Sequence, residues 1–174
     1  MIDWHTHILP GMDDGSRDVA ESISMINMQV SQGVSTIIAT PHFYANDETV
    51  ESFLERRKKS FELLKNEFSN ETVEIKLGAE VRYYQGISRM NDLKYLRIEG
   101  SKLLLLEMPM SSWTESMIRE LIELSGKNSI NAAAATKIST GIIMRMYFFI
   151  AKTSFQMFYG LIFCPSPKPK CFST

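Results

Sequence analysis

Hydrophobic residues in the first 128 positions switch repeatedly between a period of two and a period near 3.6, and the switches mark out strands and helices. Residues 1–4 predict a short strand. Residues 17–33 predict an amphipathic helix with Val19, Ile23, Ile26 and Val30 inward and Gly33 as its stop. The β-branched run at 35–40 predicts a second strand, ended by Pro41. A long helix follows over 47–68, capped at Asn46 or Asp47, with Val50, Phe53, Leu54, Phe61 and Leu64 as its apolar stripe. A third strand is predicted at 73–77. A fourth, at 103–106, is four leucines in a row, apolar on both faces as a parallel strand covered by helices should be. One more helix is predicted over 114–124. Strands alternating with helices predict a parallel α/β architecture, a (β/α) barrel left incomplete.

Composition adds one boundary. The chain has 174 residues, 44% hydrophobic and 22% charged, enough for one domain with a sizeable core. A net charge of -1 gives no general electrostatic bias toward nucleic acid or anionic membrane. Cys164 and Cys171 form no disulfide framework, and the first residues lack the basic-then-apolar pattern of a secretory signal, so a cytoplasmic location is expected. All acidic residues and all histidines lie within 1–128. Residues 129–174 hold none, yet keep Lys137, Arg145, Lys152, Lys168 and Lys170 and eight aromatics. Arg145 and Lys152 interrupt any transmembrane reading of that stretch. It reads instead as an atypical acid-free, aromatic and basic tail, the product of a shifted reading frame or a deletion.

The polar groups fall into a pattern on this skeleton. His5 and His7 lie at i and i+2 at the end of the first strand and project from one face. Asp13 and Asp14 occupy the loop that follows. His42 comes just after the second strand, Glu80 just after the third, and Glu107 directly after the four leucines. Each strand thus delivers a nitrogen or carboxylate ligand at its C-terminal end, the end at which sites assemble in parallel sheets and barrels. Taken singly, each is ordinary: a surface histidine pair, a solvated Asp-Asp-Gly turn, a glutamate where a strand meets water. Together they point to a metal site. Imidazole with carboxylate suits zinc, manganese or iron, and two or three ions can share bridging carboxylates. Such a cluster suits hydrolysis, by activating water near neutral pH and neutralising the oxygens of a phosphoryl group.

Four segments in order, MIDWHTHILPGMDDGS, Ile37-Ile-Ala-Thr-Pro-His42, Gly78-Ala-Glu80 and Leu105-Leu-Glu107-Met-Pro109, resemble the PHP-domain (polymerase and histidinol phosphatase) superfamily. Within it the chain is most similar to the manganese-dependent tyrosine-protein phosphatases of Gram-positive capsule and exopolysaccharide operons, over residues 1–128. The resemblance implies a distorted (β/α)7 barrel, here truncated to its N-terminal βα units, and a three-metal site. It implies that His5 and His7 bind the first metal, that Glu80 or Glu107 bridges to a second, and that Asp14 and His42 belong to a third. Asp14 is preferred to Asp13 because it adjoins the glycine. Arg82 receives no role. The family's later Ala-His-Pro-Glu-Arg strand, which supplies a ligand and the phosphate-binding arginine, is replaced by Asn131-Ala-Ala-Ala-Ala-Thr-Lys-Ile138, and its Asp-x-His pair has no counterpart after Asp92.

The function expected from the resemblance is hydrolysis of phosphotyrosine on a bacterial tyrosine kinase that regulates polysaccharide synthesis. Manganese is the expected metal, with iron and zinc as alternatives, and turnover is expected to be weak or absent because those ligands and the arginine are missing. Two other readings compete: a PHP phosphatase for a small phosphate monoester such as histidinol phosphate, and a non-catalytic fragment or binding module. No nucleic-acid partner is expected, and membrane contact only through the kinase or, second, through the aromatic tail.

Overall fold

The computed structural model describes residues 1–69, 72–109 and 111–127, together with the strands at 131–136, 144–151 and 154–161. Its elements in order are β1 (Ile2–Thr6), α1 (Val19–Ser31), β2 (Thr36–Ala39), β3 (His42–Phe43), α2 (Val50–Glu67), β4 (Glu74–Leu77), β5 (Glu80–Arg82), two 3-10 turns (Ile87–Arg89 and Asn91–Tyr95), β6 (Leu103–Glu107), α3 (Glu115–Lys127), β7 (Asn131–Thr136), β8 (Met144–Ala151) and β9 (Ser154–Leu161). The predicted strands and helices are all present. Most boundaries shift by one to three residues, and two of the shifts bear on local structure. The first strand runs on to Thr6, which takes His5 into the ladder. The long helix is capped not by Asn46 or Asp47 but by Thr49, whose hydroxyl accepts the Ser52 N–H.

The strands fall into two sheets, β1-β2-β4 and β3-β5-β6-β7-β8-β9. The division follows from two short breaks. Pro41 has no N–H to give the ladder, so β2 ends and the chain resumes as β3 two residues later. Gly78 and Ala79 separate β4 from β5 in the same way, and a Cβ on Gly78 would come within 3.2 Å of Ile98 and 3.3 Å of Thr40. Backbone bonds carry the pairing around the corner: Thr40 N–H to Thr6 O at 2.9 Å, Gly78 N–H to Ala39 O at 2.8 Å and Glu80 N–H to Pro41 O at 2.9 Å. The β2–β3 and β4–β5 segments are therefore two bent strands that pass from one sheet to the other. This bending is how an open sheet begins to curve toward a barrel. It places His42 and Glu80 on the second sheet, in register with each other.

The core lies between these sheets and the helices. Ile26 of α1, Ile37, Phe43, Phe53 and Leu64 of α2, Leu104, Leu106, and Leu121 and Leu124 of α3 are all fully buried. Side chains of this size contribute about 1.5–3 kcal/mol each when removed from water. Val19, Ile23 and Val30 pack against the core from α1, and Leu54 and Phe61 from α2, as their spacing predicts. Glu120 of α3 ties down the segment after β5, accepting from the Tyr83 hydroxyl at 2.9 Å and the Gly86 N–H at 2.7 Å. β7 runs parallel to β6, whereas β8 and β9 add in antiparallel fashion. Among the described residues no helix is long and apolar enough to cross a membrane. Cys164 and Cys171 lie outside the described residues.

Candidate metal centre

The loop between β1 and α1 builds the first wall of the site. It folds back on itself through Ser16 N–H to His7 O at 2.9 Å and Gly11 N–H to Ser16 O at 2.8 Å. Gly15 lies so close to His7 that a Cβ there would sit 2.2 Å from the His7 carbonyl oxygen and 2.3 Å from the His7 Cβ. Only glycine permits that approach. At the head of the loop, Asp13 makes an Asx turn by accepting the Gly15 N–H at 3.0 Å. Its other oxygen takes the backbone N–H of His42 at 2.8 Å and faces His7 Nδ1 at 2.7 Å. One carboxylate therefore fixes the loop, the start of β3 and the His7 ring together.

The three imidazoles converge on one oxygen. Glu80 Oε2 lies 3.3 Å from His5 Nε2, 3.2 Å from His7 Nε2 and 3.3 Å from His42 Nδ1. Glu107 Oε2 is 3.6 Å from the same His42 nitrogen, and Asp14 Oδ1 is 3.5 Å from His42 Nε2. The His5 and His7 rings meet edge-on at 4.9 Å, and those of His7 and His42 lie tilted by 48° at 4.6 Å. His5, His42 and Glu80 are buried, while the Asp14 side chain is 72% exposed and forms the outer lip.

Hydrogen bonding on the far side of two rings assigns their near nitrogens. His5 Nδ1 is 2.7 Å from the Thr40 hydroxyl, which itself reaches Thr6 O, and His7 Nδ1 is held by Asp13. Protons placed on both Nδ1 atoms leave both Nε2 lone pairs facing Glu80, the arrangement of a ligating histidine backed by an outer partner. Without a cation, burial pulls the His7 pKa down, but Asp13 and Glu80 outweigh it and lift the group to about 9. The lone-pair arrangement therefore belongs to the metal-bound ring, where a cation would take the place of the second proton. Asp13 moves the other way: burial raises it, and the bonds from His7, His42 and Gly15 bring it to about 2.

Three buried polar atoms of this cluster, His42 Nδ1, Glu80 Oε2 and Glu107 Oε2, have no hydrogen-bond partner. Such an atom costs about 1–3 kcal/mol or more if nothing satisfies it, and nearly all buried polar groups in proteins are paired. A cation among these lone pairs satisfies them at once. Two groups, His5–His7–Glu80 and His7–Asp14–His42, hold ligand atoms all within 4.8 Å of one another, so the residues fit a metal on the chemistry and spacing of their donors.

Residues 1–132 match the CpsB/CapC family of capsular polysaccharide synthesis. The chain belongs to this family. Among its relatives, the Bacillus subtilis tyrosine-protein phosphatase YwqE is 36% identical over 110 residues, 57% of this chain and 42% of YwqE. The Staphylococcus aureus putative tyrosine-protein phosphatase CapC is 32% identical over 133 residues, 70% of this chain and 49% of CapC. The Streptococcus agalactiae tyrosine-protein phosphatase CpsB is 32% identical over 120 residues, 66% of this chain and 48% of CpsB. The crystal structures of YwqE and of Streptococcus pneumoniae CpsB, described as unique metal-dependent tyrosine phosphatases, share the fold. The match has a TM-score of 0.58 and 30% identity, and covers 77% of this chain and 54% of the other. The mixed α/β fold with its parallel sheets is thus of the PHP type found in this family. The chain spans about half the length of the curated CpsB/CapC relatives it matches.

All six residues picked from the sequence, His5, His7, Asp14, His42, Glu80 and Glu107, come together in this CpsB/CapC fold. Three supporting residues were not picked for the roles they hold. Asp13 orients His7, Thr40 backs His5, and Gly15 makes room for the His7 backbone. Asp-Asp-Gly signals a turn, which is the Asx turn seen here, but nothing in the sequence separates its two carboxylates by task. β7 marks a limit of the cluster. It is the next parallel strand after β6, and at the register position of Glu107 it carries Ala135.

Proposed function

We propose that the chain carries the metal-binding half of a cytoplasmic, metal-dependent phosphotyrosine phosphatase of polysaccharide synthesis, with a bacterial tyrosine kinase as its protein substrate. The observation that carries this reading is Glu80 Oε2, buried among three imidazole nitrogens at 3.2–3.3 Å with no hydrogen bond of its own. In this reading His5, His7, Asp14, His42, Glu80 and Glu107 would hold manganese, with iron and zinc as the alternatives, and Glu80 or Glu107 would be the carboxylate shared between ions. When bound, the metals supply positive charge for the phosphoryl oxygens and lower the pKa of water. The chain's own part is to aim His5 and His7 through Thr40 and Asp13. The names of the CpsB/CapC relatives support phosphotyrosine over a small phosphate monoester such as histidinol phosphate.

Alanine at the Ala135 position, and the lack of any His, Asp or Glu over 129–174, favour slow turnover, because each missing catalytic donor removes about 10²-fold or more. We further propose the division at 128/129, between the family domain and an acid-free tail. Metal content and hydrolysis of a phosphotyrosine peptide, measured side by side on the purified chain and on YwqE, test the reading. Stoichiometric manganese with slow, chelator-sensitive hydrolysis is expected, both lost in Glu80→Ala. No metal uptake would overturn it. Full metal content with no hydrolysis above background would reduce the chain to a metal-binding module.

A further inference from the structure

Arg82 closes β5 two residues beyond Glu80, so alternation along the strand places both on one face, and in the sheet Arg82 is in register with Glu107. Its guanidinium lies over the Tyr44 ring, 5.6 Å from the centroid, and that ring is stacked on His42 at 5.3 Å with 19° between the planes. A guanidinium, a phenol and an imidazole thus form one column rising from the candidate ligands to solvent. Beside the column is a cleft of about 350 Å³ lined by Tyr44, Asn46, Asp47, Arg82, Tyr83 and Tyr84. Three tyrosines with a cation at one side make a cavity for a flat ring that bears a negative charge.

Among the described residues several arginines are without a carboxylate partner, Arg89 and Arg97 (which donates to the Lys94 carbonyl) among them, but Arg82 is the one in register with Glu107 and stacked on the ring beside His42. Arg17 is bound to Glu21, Arg56 to Glu48 and Arg119 to Glu115, while Arg57 is buried and donates to the Gly78 carbonyl. Among the described residues no carboxylate lies within ion-pair distance of Arg82, although Glu80 and Glu107 are on its own face of the sheet. The Tyr44 ring steers the side chain, and its fork of N–H donors stays open toward the cleft. A guanidinium held flat on an aromatic ring is well suited to grip two oxygens of one phosphate.

We propose that Arg82, seated on Tyr44, is the phosphate-binding cation of this site, and that the tyrosine-lined cleft beside it takes the aryl ring of the phosphate ester. This rests on the phosphotyrosine reading above, but it concerns binding and is measured without turnover. The ring of a phosphotyrosine would lie against Tyr44 and Tyr83, with its phosphate between Arg82 and the His42 side of the cluster. An aliphatic phosphate ester fills none of the cleft and gains only the Arg82 contact.

Calorimetric titration of the full chain, chelator-treated and manganese-loaded, with inorganic phosphate and with O-phosphotyrosine as probes, tests the proposal. Metal content is measured separately on every sample. Arg82→Ala is expected to weaken both probes about 10-fold or more with manganese content unchanged, since hydrogen bonds to a charged partner are among the strong ones. Arg82→Lys should recover only part of the loss, because a point charge lacks the fork. Tyr44→Ala should weaken phosphotyrosine more than inorganic phosphate. Arg82→Ala titrating within about 2-fold of the parent for both probes overturns the proposal, as does a parent chain that binds neither probe in either state. A chain that takes up no manganese defeats the metal reading alone, and the chelator-treated titrations then decide the role of Arg82 by themselves.

Discussion

Gly15→Ala is the sharpest test of how the β1–α1 loop builds the site. The new methyl would lie 2.2 Å from the His7 carbonyl oxygen and 2.3 Å from the His7 Cβ, well inside the 3.0 Å below which real Cβ contacts essentially never fall. Both neighbours belong to the backbone or to the root of a side chain, so no rotamer change relieves the clash. The loop must lift away from His7 by about an ångström, which pulls on the Ser16 N–H bond to His7 O at 2.9 Å. Overpacking of this kind costs about 1–3 kcal/mol, and a weakened backbone bond adds about 1 kcal/mol, so the expected loss is about 2–4 kcal/mol. In a chain of 174 residues that lowers the melting temperature by about 5–15 °C. The lifted loop also carries Asp13 away from His7 Nδ1 and the His42 N–H, so metal uptake should fall along with stability. Gly33→Ala is the control. Its φ of +85° strains an alanine by about 1 kcal/mol, but nothing lies within 4 Å, and metal uptake should stay at the parent level. Urea unfolding with an unchanged m-value, run beside metal analysis, reads both effects. If Gly15→Ala unfolds within about 0.5 kcal/mol of the parent and loads metal normally, the close-approach argument is wrong.

Asp13→Asn should keep the turn but lose the charged partner of His7, lowering metal affinity about 10–100-fold; metal affinity at the parent level with an unperturbed His7 ring signal by NMR would contradict the orienting role. Glu120→Ala removes the acceptor of both the Tyr83 hydroxyl and the Gly86 N–H and should destabilise by about 1–3 kcal/mol in denaturant melts, with Glu120→Gln milder. Burial, and after it the bond to Glu120, push the Tyr83 hydroxyl up to about 12, above its unfolded value near 10. Its contribution is therefore complete below pH 10 and lost as pH rises toward 12, so stability should fall more steeply across that window in the parent than in Tyr83→Phe. We also propose that the acid-free tail reflects a shifted frame; a coding sequence in which no alternative frame beyond codon 128 encodes His-Pro-Glu-Arg and Asp-x-His would refute it.

The parts of this molecule that burial dictates were legible in its sequence, and the parts that depend on close approach were not. The four leucines of β6 and the stripe of α2 announce themselves because a buried strand and a half-buried helix each impose a period on apolar residues. The six candidate ligands were legible for a related reason: parallel strands all point one way, so residues just past their ends must meet. The bent strands were not. Pro41 reads as a stop, and the short strands beyond it and beyond Gly78, His42–Phe43 and Glu80–Arg82, are too short to show any period. Yet these fragments carry His42 and Glu80 into the site and Arg82 onto Tyr44. The same Pro41 that ends a ladder lets the chain turn from one sheet to the other, and the turn brings the third imidazole to within 3.3 Å of Glu80. Adjacent carboxylates show the limit most plainly. Asp13 and Asp14 are chemically alike and share one turn, but one is tied to His7 and two backbone N–H groups while the other stands exposed at the lip. Their division of labour is set by the direction of a loop whose path is fixed by the missing side chain of Gly15. A pattern of residue types does not encode that path until the backbone it permits has been built.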